Sequence, residues 1–180
     1  LIIVHTLGAH PHYDLRSEAR HKVFDEADDH VQRAMRANRL FFVRWARNAY
    51  DAAMLYQDEL ITSLIASLRS RAGNGRQRLL YVSDHGQEVG HFRNTFGHSQ
   101  SLESGYVVPM LIWPTGVARE ARDAIERRPY QTDKLDWTLL GLLGIATAHD
   151  RPEHDILGER FRPSARSIDG SPYVPGPTPD

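Results

Sequence analysis

Residues 48–83 constrain the fold of this chain more than any other stretch. Over residues 48–71, apolar side chains recur at three- and four-residue spacing, which predicts an amphipathic helix. Residues 78–83 then form a short apolar run with the length of a buried strand, and residues 107–113 form another. Strands that alternate with helices predict an α/β fold in which helices cover both faces of one sheet.

The rest of the chain predicts one more strand, three more helices and a tail. The strand is residues 1–5, and the helices are residues 17–38, residues 117–127 and a helix capped by Asp133 that runs to residue 143. Residues 167–180 are rich in Pro, Gly and Ser and predict an extended or disordered tail. We therefore expect one folded part, residues 1–166, followed by this tail.

Composition excludes several kinds of function. The 180 residues carry 22 basic and 23 acidic side chains, and this balance provides no broad field for nucleic acid. There are no cysteines, so a metal site must use His, carboxylate or hydroxyl ligands. No apolar run of the sequence reaches the roughly 20 residues that a membrane-spanning helix needs.

The sharpest local feature is Ser83-Asp84-His85-Gly86 at the end of a predicted strand. Open α/β sheets place their sites at the carboxyl ends of strands. Adjacent Asp84 and His85 can bind one divalent cation if the backbone bends, and Gly86 would permit that bend by adopting a positive φ. The alternative is an Asp that caps a turn beside an exposed His, and the spacing alone does not decide between the two.

Three further histidines lie in loops that the predicted sheet would bring to one edge. His5 and His10 flank the loop after the first strand, and His98 lies in the long loop after the Asp-His pair. Imidazoles gathered there can bind a phosphate group, protonate a leaving oxygen or complete a metal shell.

The other histidines and one carboxylate have a structural interpretation. His12 and His91 are undecided, with a surface position favoured. A surface position is expected for His21, His30, His149 and His154. Asp58 lies on the apolar side of the predicted helix, where we interpret it as a hydrogen-bonded packing residue rather than a catalytic one.

Three blocks of the sequence resemble a known family, in order and at suitable distances. Residues 5–10 are similar to the HTxGSH segment of the phosphoethanolamine transferases that modify lipid A and the lipopolysaccharide core. Residues 48–58 resemble the NxYDNxxLYxD helix of these enzymes, and residues 80–90 resemble their LYxSDHGExxG segment. Residues 108–113 are similar to the VPxxxW segment that follows, so the resemblance spans most of the first 160 residues.

The resemblance implies the fold of the alkaline phosphatase/sulfatase superfamily, a three-layer α/β/α sandwich around a mixed, mostly parallel sheet. It implies that Asp84 and His85 bind the catalytic Zn²⁺, or Mn²⁺ or Ca²⁺ in another branch of the superfamily. It also implies that His10 and His98 contact the phosphoethanolamine group and take part in catalysis. His5 is a further candidate for substrate binding.

The family moves phosphoethanolamine from phosphatidylethanolamine to a threonine and then to lipid A or the core oligosaccharide. The resemblance therefore implies a transferase at the periplasmic face of a bacterial inner membrane, anchored by N-terminal helices that this chain lacks. In the family, the threonine and a glutamate ligand precede the block that begins here at His5. We therefore expect residues 1–166 to be the C-terminal part of a catalytic domain, with half of the metal site and no turnover alone.

Departures from the family pattern leave alternatives open. Gln87 replaces the usual glutamate after Asp-His-Gly, with Glu88 next to it, and Ala9 replaces a serine. Sulfatases, phosphodiesterases and phosphoglycerol transferases of the same superfamily are the alternative enzymes. A non-catalytic module that binds a partner is a third interpretation, although such a module has no need for His10, His98 and the Asp-His pair together.

Overall fold

The computed structural model describes residues 1–24, 38–71, 77–113, 118–168 and 170–175. The described α-helices are α1 (Phe41–Ser70), α2 (Arg119–Glu126) and α3 (Leu135–Leu143). The described strands are β1 (Leu79–Val82), β2 (Glu88–Val89), β3 (Phe96–Gly97), β4 (Met110–Trp113), β5 (Ser167–Ile168) and β6 (Ser171–Pro172). None of the described helices combines the length and the apolar character that a bilayer crossing requires.

The described strands pair only in twos. β2 and β3 are antiparallel, with Glu88 opposite Gly97 and Val89 opposite Phe96, and β5 and β6 form a second antiparallel pair. β1 pairs with β4. The broad, mostly parallel sheet that we predicted is therefore not formed by the described residues, since each of these short strands has a single described partner.

The apolar run at the start of the chain does not form the predicted strand. Residues 1–5 have no regular structure, and the first four side chains are exposed. A strand needs a neighbour to satisfy its backbone N–H and C=O groups, and no described strand pairs with this run. The prediction of a buried strand here is wrong.

The chain divides into two compact units. Residues 1–75 and 81–110 belong to the first unit, and residues 76–80 and 111–175 belong to the second, as far as these ranges are described. All the residues that the sequence singled out for chemistry lie in the first unit.

The first half of α1 supplies the core of the first unit. Tyr13, Ala46 and Val89 are buried together. The ring of Tyr50, one turn further along α1, meets the Tyr13 ring edge-on with the centroids 5.4 Å apart, a favoured aromatic arrangement. The loop before α1 and strand β2 after it are therefore both fixed against the same face of the helix.

The predicted amphipathic helix is confirmed as α1, although it begins at Phe41 rather than at residue 48. Asp58 is exposed, and the buried polar residue is its neighbour Gln57. Successive side chains of a helix point about 100° apart around its axis. A shift of one position along the helix can therefore replace a buried side chain by an exposed one. The prediction that Asp58 packs inside the apolar face is wrong.

The other predicted helices have mixed outcomes. α2 lies within the predicted residues 117–127, of which residue 117 is outside the described part. α3 follows a 3₁₀ turn at Thr132–Lys134, so Asp133 belongs to that turn and does not cap the helix. Of predicted residues 17–38, only the ends are described, and the beginning contains a 3₁₀ turn at Ala19–His21.

Thr138, in the middle of α3, organises the core of the second unit. Its side chain is fully buried, and its hydroxyl lies 3.0 Å from that of Tyr130 and accepts the Ile156 N–H at 3.2 Å. Arg128 donates to the carbonyls of Ile156 and Gly158. A buried hydrogen bond therefore joins α3 to Ile156, and Arg128 holds the same segment from the loop after α2.

Charged side chains of α1 and of the residues just before it bind the loop between β2 and β3. Arg47 donates through Nε to both carboxylate oxygens of Asp51, at 2.9 and 3.0 Å. Its Nη1 lies 2.7 Å from Nε2 of His91, and this contact requires an unprotonated Nε2. Arg39 donates to the carbonyls of Gly90 and His91. The loop is therefore held by two guanidinium groups.

We expect His91 to make the stability of the first unit depend on pH. Burial, and then the charge of Arg47, lower the pKa of His91, with Glu88 opposing. The neutral imidazole is favoured in the folded state, so its contribution is complete above the unfolded pKa of about 6.5 and is lost as pH falls toward the lower folded pKa. In urea unfolding of the full-length protein between pH 7.5 and 5.5, His91→Gln should flatten the decline in stability.

The matched control is His149→Gln, since His149 is exposed. It should retain the decline in stability of the wild type. A His91→Gln protein whose stability falls with pH as steeply as that of the wild type would show that His91 is not the titrating group.

In the second unit, Thr138→Val should destabilise the fold although it preserves the shape of the side chain. The substitution leaves the buried Ile156 N–H without its acceptor, and such a loss costs about 1–3 kcal/mol. Thermal unfolding measures the effect, with Thr147→Val at an exposed position as the control. Equal unfolding temperatures for the two variants would contradict the assigned role of Thr138.

Candidate functional site

The Asp-His-Gly turn directly follows β1 and is closed by local hydrogen bonds. The Ser83 hydroxyl donates to the carbonyl of His85 at 2.8 Å, and the His85 N–H donates to Oδ1 of Asp84 at 2.9 Å. The Asp84 side chain is 84% exposed and that of His85 is 33% exposed. Both side chains therefore face a surface that a dissolved ion or substrate can reach.

The hydrogen bond of the His85 ring leaves one nitrogen available for a metal. Nδ1 lies 3.0 Å from the carbonyl of Gly86, and a carbonyl only accepts, so we assign the proton to Nδ1. Nε2 then carries a free lone pair, 3.8 Å from Oδ2 of Asp84. Since zinc–nitrogen and zinc–oxygen bonds are each about 2 Å long, this separation permits both atoms to bind one ion.

His98 joins this pair from the following loop. Its ring centroid lies 4.1 Å from that of His85, with the two planes tilted by 50°. His98 is exposed, and Gly97 before it has φ of 115°, a conformation that favours glycine. The structure therefore brings together Asp84, His85 and His98.

The two histidines near the start of the chain are not joined to this group. His5 and His10 are both exposed, and Nδ1 of His10 lies 3.4 Å from the carbonyl of Pro11. Among the described residues, no hydrogen bond, ion pair or ring contact connects either histidine to Asp84, His85 or His98. Their proposed contacts with substrate stay predictions.

The described residues do not form a complete metal site. Within the described ranges, no cluster of three or more His, Asp or Glu side chains is arranged to hold an ion. Asp84 and His85 offer one carboxylate and one imidazole, which are ordinary zinc ligands. The chemistry of the pair fits zinc, and the remaining positions of a four-coordinate site need ligands from outside the pair.

Gly86 is needed for a reason that the sequence did not suggest. It is not among the residues with positive φ, so the predicted bend through left-handed backbone is wrong. A Cβ at this position would instead lie 2.1 Å from the carbonyl oxygen of Ser104 and 2.9 Å from that of Val107. Gly86 therefore permits the returning loop to pack directly against the turn, and its N–H donates to the Gly105 carbonyl at 2.9 Å.

The two residues after Gly86 face inward, and sequence analysis missed both roles. Gln87 is buried and accepts the Tyr13 hydroxyl at 3.1 Å, so it fixes the turn to the loop before α1. Glu88 is fully buried and accepts hydrogen bonds from the following loop. The pairing of Gln with Glu directly after Asp-His-Gly was the available signal, but loop carboxylates are usually exposed.

The remaining histidines have mixed outcomes: His12 is exposed, as favoured, whereas His91 is half-buried. His21 is buried, and its Nε2 lies 2.7 Å from Oε2 of Glu59, so its prediction as a surface residue is wrong. Its contact with α1 explains the burial, because Glu59 supplies the acceptor. His149 is exposed, His154 is half-buried, and His30 lies outside the described residues.

The sequence is similar to a protein family model and to known proteins. The sulfatase family model matches residues 1–145. Phosphoethanolamine transferase EptC of Escherichia coli K12 is 32% identical over 181 residues, which cover 96% of this chain and 30% of that protein. Phosphoethanolamine transferase EptA of Salmonella typhimurium LT2 is 28% identical over 171 residues, 87% of this chain and 30% of that protein. The chain thus spans about 30% of the length of these relatives.

Solved structures agree with these relatives. The C-terminal periplasmic domain of EptC from Escherichia coli aligns with a TM-score of 0.75 and 29% identity, covering 97% of this chain and 50% of that one. A structure of that domain in complex with Zn aligns with a TM-score of 0.72 and 27% identity, covering 93% and 47%. The chain therefore has the fold of part of this periplasmic domain, and it belongs to the sulfatase family.

Proposed function

We propose that this chain is part of the catalytic domain of a zinc-dependent phosphoethanolamine transferase. The observation that carries the proposal is the grouping of three predicted site residues: His85 Nε2 lies 3.8 Å from the Asp84 carboxylate, and the His98 ring lies 4.1 Å from the His85 ring. An acidic ligand, a neutral imidazole and a second imidazole at one exposed surface suit phosphoryl transfer. The similarity to phosphoethanolamine transferases supports the choice of group that is moved.

Asp84 and His85 are the residues that would hold the metal. The carboxylate of Asp84 supplies negative charge at an exposed position, and the hydrogen bond from Nδ1 to Gly86 keeps Nε2 of His85 directed away from the turn. A bound zinc ion would polarise the phosphoryl oxygens and favour ionisation of a nucleophile. Zinc is preferred over Mn²⁺ or Ca²⁺, since imidazole suits zinc and a related domain was crystallised with Zn.

His98, with His10 as the second catalytic candidate, is proposed to move a proton. Its exposed ring lies beside the ring of His85, whose Nδ1 is hydrogen-bonded to the Gly86 carbonyl. An imidazole there can bind a phosphate oxygen and protonate the oxygen that leaves the donor lipid. His5 and His10 are proposed as further contacts of the phosphoethanolamine group.

The proposed donor is phosphatidylethanolamine, and the proposed acceptor is lipid A or the lipopolysaccharide core. Transfer would pass through a phosphorylated threonine that lies upstream of residue 5 in related enzymes, so this chain alone should not turn over. The periplasmic location of the EptC domain supports action at the periplasmic face of an inner membrane. The alignment with that domain also supports a three-layer α/β/α sandwich for the whole catalytic domain.

Another enzyme of the same superfamily is the second candidate, because the family model that matches residues 1–145 is that of sulfatases. A sulfatase, phosphodiesterase or phosphoglycerol transferase would use the same Asp-His pair with another substrate. The relatives named above favour phosphoethanolamine transfer, and the product formed in cells separates the candidates.

Asp84→Asn in the full-length protein should weaken zinc binding by more than about 100-fold, since loss of an outer partner of a metal ligand already costs about 10- to 100-fold. Isothermal titration calorimetry with zinc measures the change. Asp123→Asn is the matched control, because Asp123 is exposed on α2, and it should bind as the wild type does. Equal zinc affinity for both variants would exclude Asp84 as a ligand and would favour a non-catalytic module.

Cells that express the full-length protein should contain lipid A or core oligosaccharide with added phosphoethanolamine. Mass spectra of both fractions, from cells with and without the protein, measure the modification. The Asp84→Asn form should leave the spectra at the level of cells that lack the protein. An unchanged phosphoethanolamine content with the wild type would remove the phosphoethanolamine transferase assignment and leave the other enzymes of the superfamily as candidates.

A further inference from the structure

Glu88 is the one fully buried carboxylate among the described residues. Removing a carboxylate from water is costly unless hydrogen bonds replace its hydration. Glu88 lies three positions after His85 and contacts neither proposed metal ligand, so the site described above gives it no role. Its burial needs another explanation.

Three donors from the segment that follows β2 surround the Glu88 carboxylate. Two are backbone N–H groups in the loop between β2 and β3, and the third is a hydroxyl group after β3. Oε1 accepts the backbone N–H groups of Phe92 and Arg93 at 2.8 and 3.1 Å. Oε2 accepts the hydroxyl of Ser104 at 2.5 Å. These three hydrogen bonds tie residues 92–93 and residue 104 to β2.

His98 lies between these anchors, directly after β3. On one side, the backbone of Glu88 pairs with Gly97, the residue before His98. On the other side, a Cβ on Gly105 would lie 1.8 Å from the carbonyl oxygen of Ser99, the residue after His98. The same end of the loop packs against Gly86. The backbone on the two sides of His98 therefore contacts either Glu88 or the Ser104–Gly105 segment, whose Ser104 hydroxyl donates to Glu88.

We propose that Glu88 is a positioning residue, which fixes His98 against His85 and binds neither metal nor substrate. This role rests on the proposed function, because it concerns the geometry of the same site. In the family pattern an acidic residue stands where this chain has Gln87. From the sequence alone, the neighbouring Glu88 could take over the role of that acidic residue. The structure instead directs the carboxylate into the protein, toward Phe92, Arg93 and Ser104.

Three substitutions in the full-length protein test the proposal. Glu88→Ala removes all three hydrogen bonds, and Ser104→Ala removes one. Glu88→Gln keeps an oxygen for the two N–H groups, and the Ser104 hydroxyl can turn to accept from the new amide. Glu120→Ala, at an exposed position of α2, is the control.

The measurements separate positioning from metal binding and from folding. They are the zinc Kd, the kcat and KM for release of diacylglycerol from fluorescent phosphatidylethanolamine, and the rate at which diethyl pyrocarbonate modifies His98. For Glu88→Ala we expect an unchanged zinc Kd and stoichiometry, a kcat lower by about 10- to 100-fold with KM little changed, and faster modification of His98. Glu88→Gln should resemble the wild type, and Ser104→Ala should shift the same quantities by less.

Several outcomes would overturn the proposal. A zinc Kd that weakens in Glu88→Ala as it does in Asp84→Asn would make Glu88 a ligand. Loss of kcat in Glu88→Gln equal to that in Glu88→Ala would show that its charge, rather than its hydrogen bonds, is required. Unchanged kcat and unchanged modification of His98 would show that Glu88 does not position the ring.

The remaining variants keep the test decisive if Glu88→Ala does not fold. Ser104→Ala must then lower kcat and speed the modification of His98, and wild-type values for both would overturn the proposal. A wild-type protein that releases no diacylglycerol would defeat the proposed function alone. The modification rate of His98 would still decide whether Glu88 positions it.

Discussion

Glu88 and Val89 form a two-residue strand, fully buried where α1 meets the loop that carries His98. Successive side chains of a strand point to opposite faces. Val89 therefore joins the apolar core with Ala46 and Tyr13, while Glu88 reaches the donors of the loop. One short strand thus connects the hydrophobic contact that anchors the first unit to the polar contacts that shape its site.

The sequence predicted the elements whose signal is local. α1 has a periodic apolar pattern over many turns, and β1 and β4 lie within predicted apolar runs. β2 and β3 have two residues each, too few for any periodicity to show. The exposed run at residues 1–5 shows the opposite error, because composition reports a preference for burial but cannot supply a pairing partner.

The candidate site was predictable only in part, for a similar reason. Asp84 and His85 are neighbours in sequence, so their proximity follows from the chain itself. The strand-end argument and the resemblance both predicted that His98 lies near this pair, but thirteen positions separate it from His85 and no spacing rule fixes the path of a loop of that length. Glu88 is buried by backbone N–H groups of the loop after β2, and His21 by the Glu59 side chain of α1, and no sequence motif records either partner.

The two carboxylates of the site region, Asp84 and Glu88, differ in exposure, and solvation explains the difference. The Asp84 side chain is mostly exposed, so water solvates its carboxylate and a dissolved cation can reach it. Glu88 is out of water, where only a full set of donors makes a carboxylate tolerable. The groups suited to react therefore face outward with few contacts of their own, and their alignment depends on buried groups that need not touch the reaction.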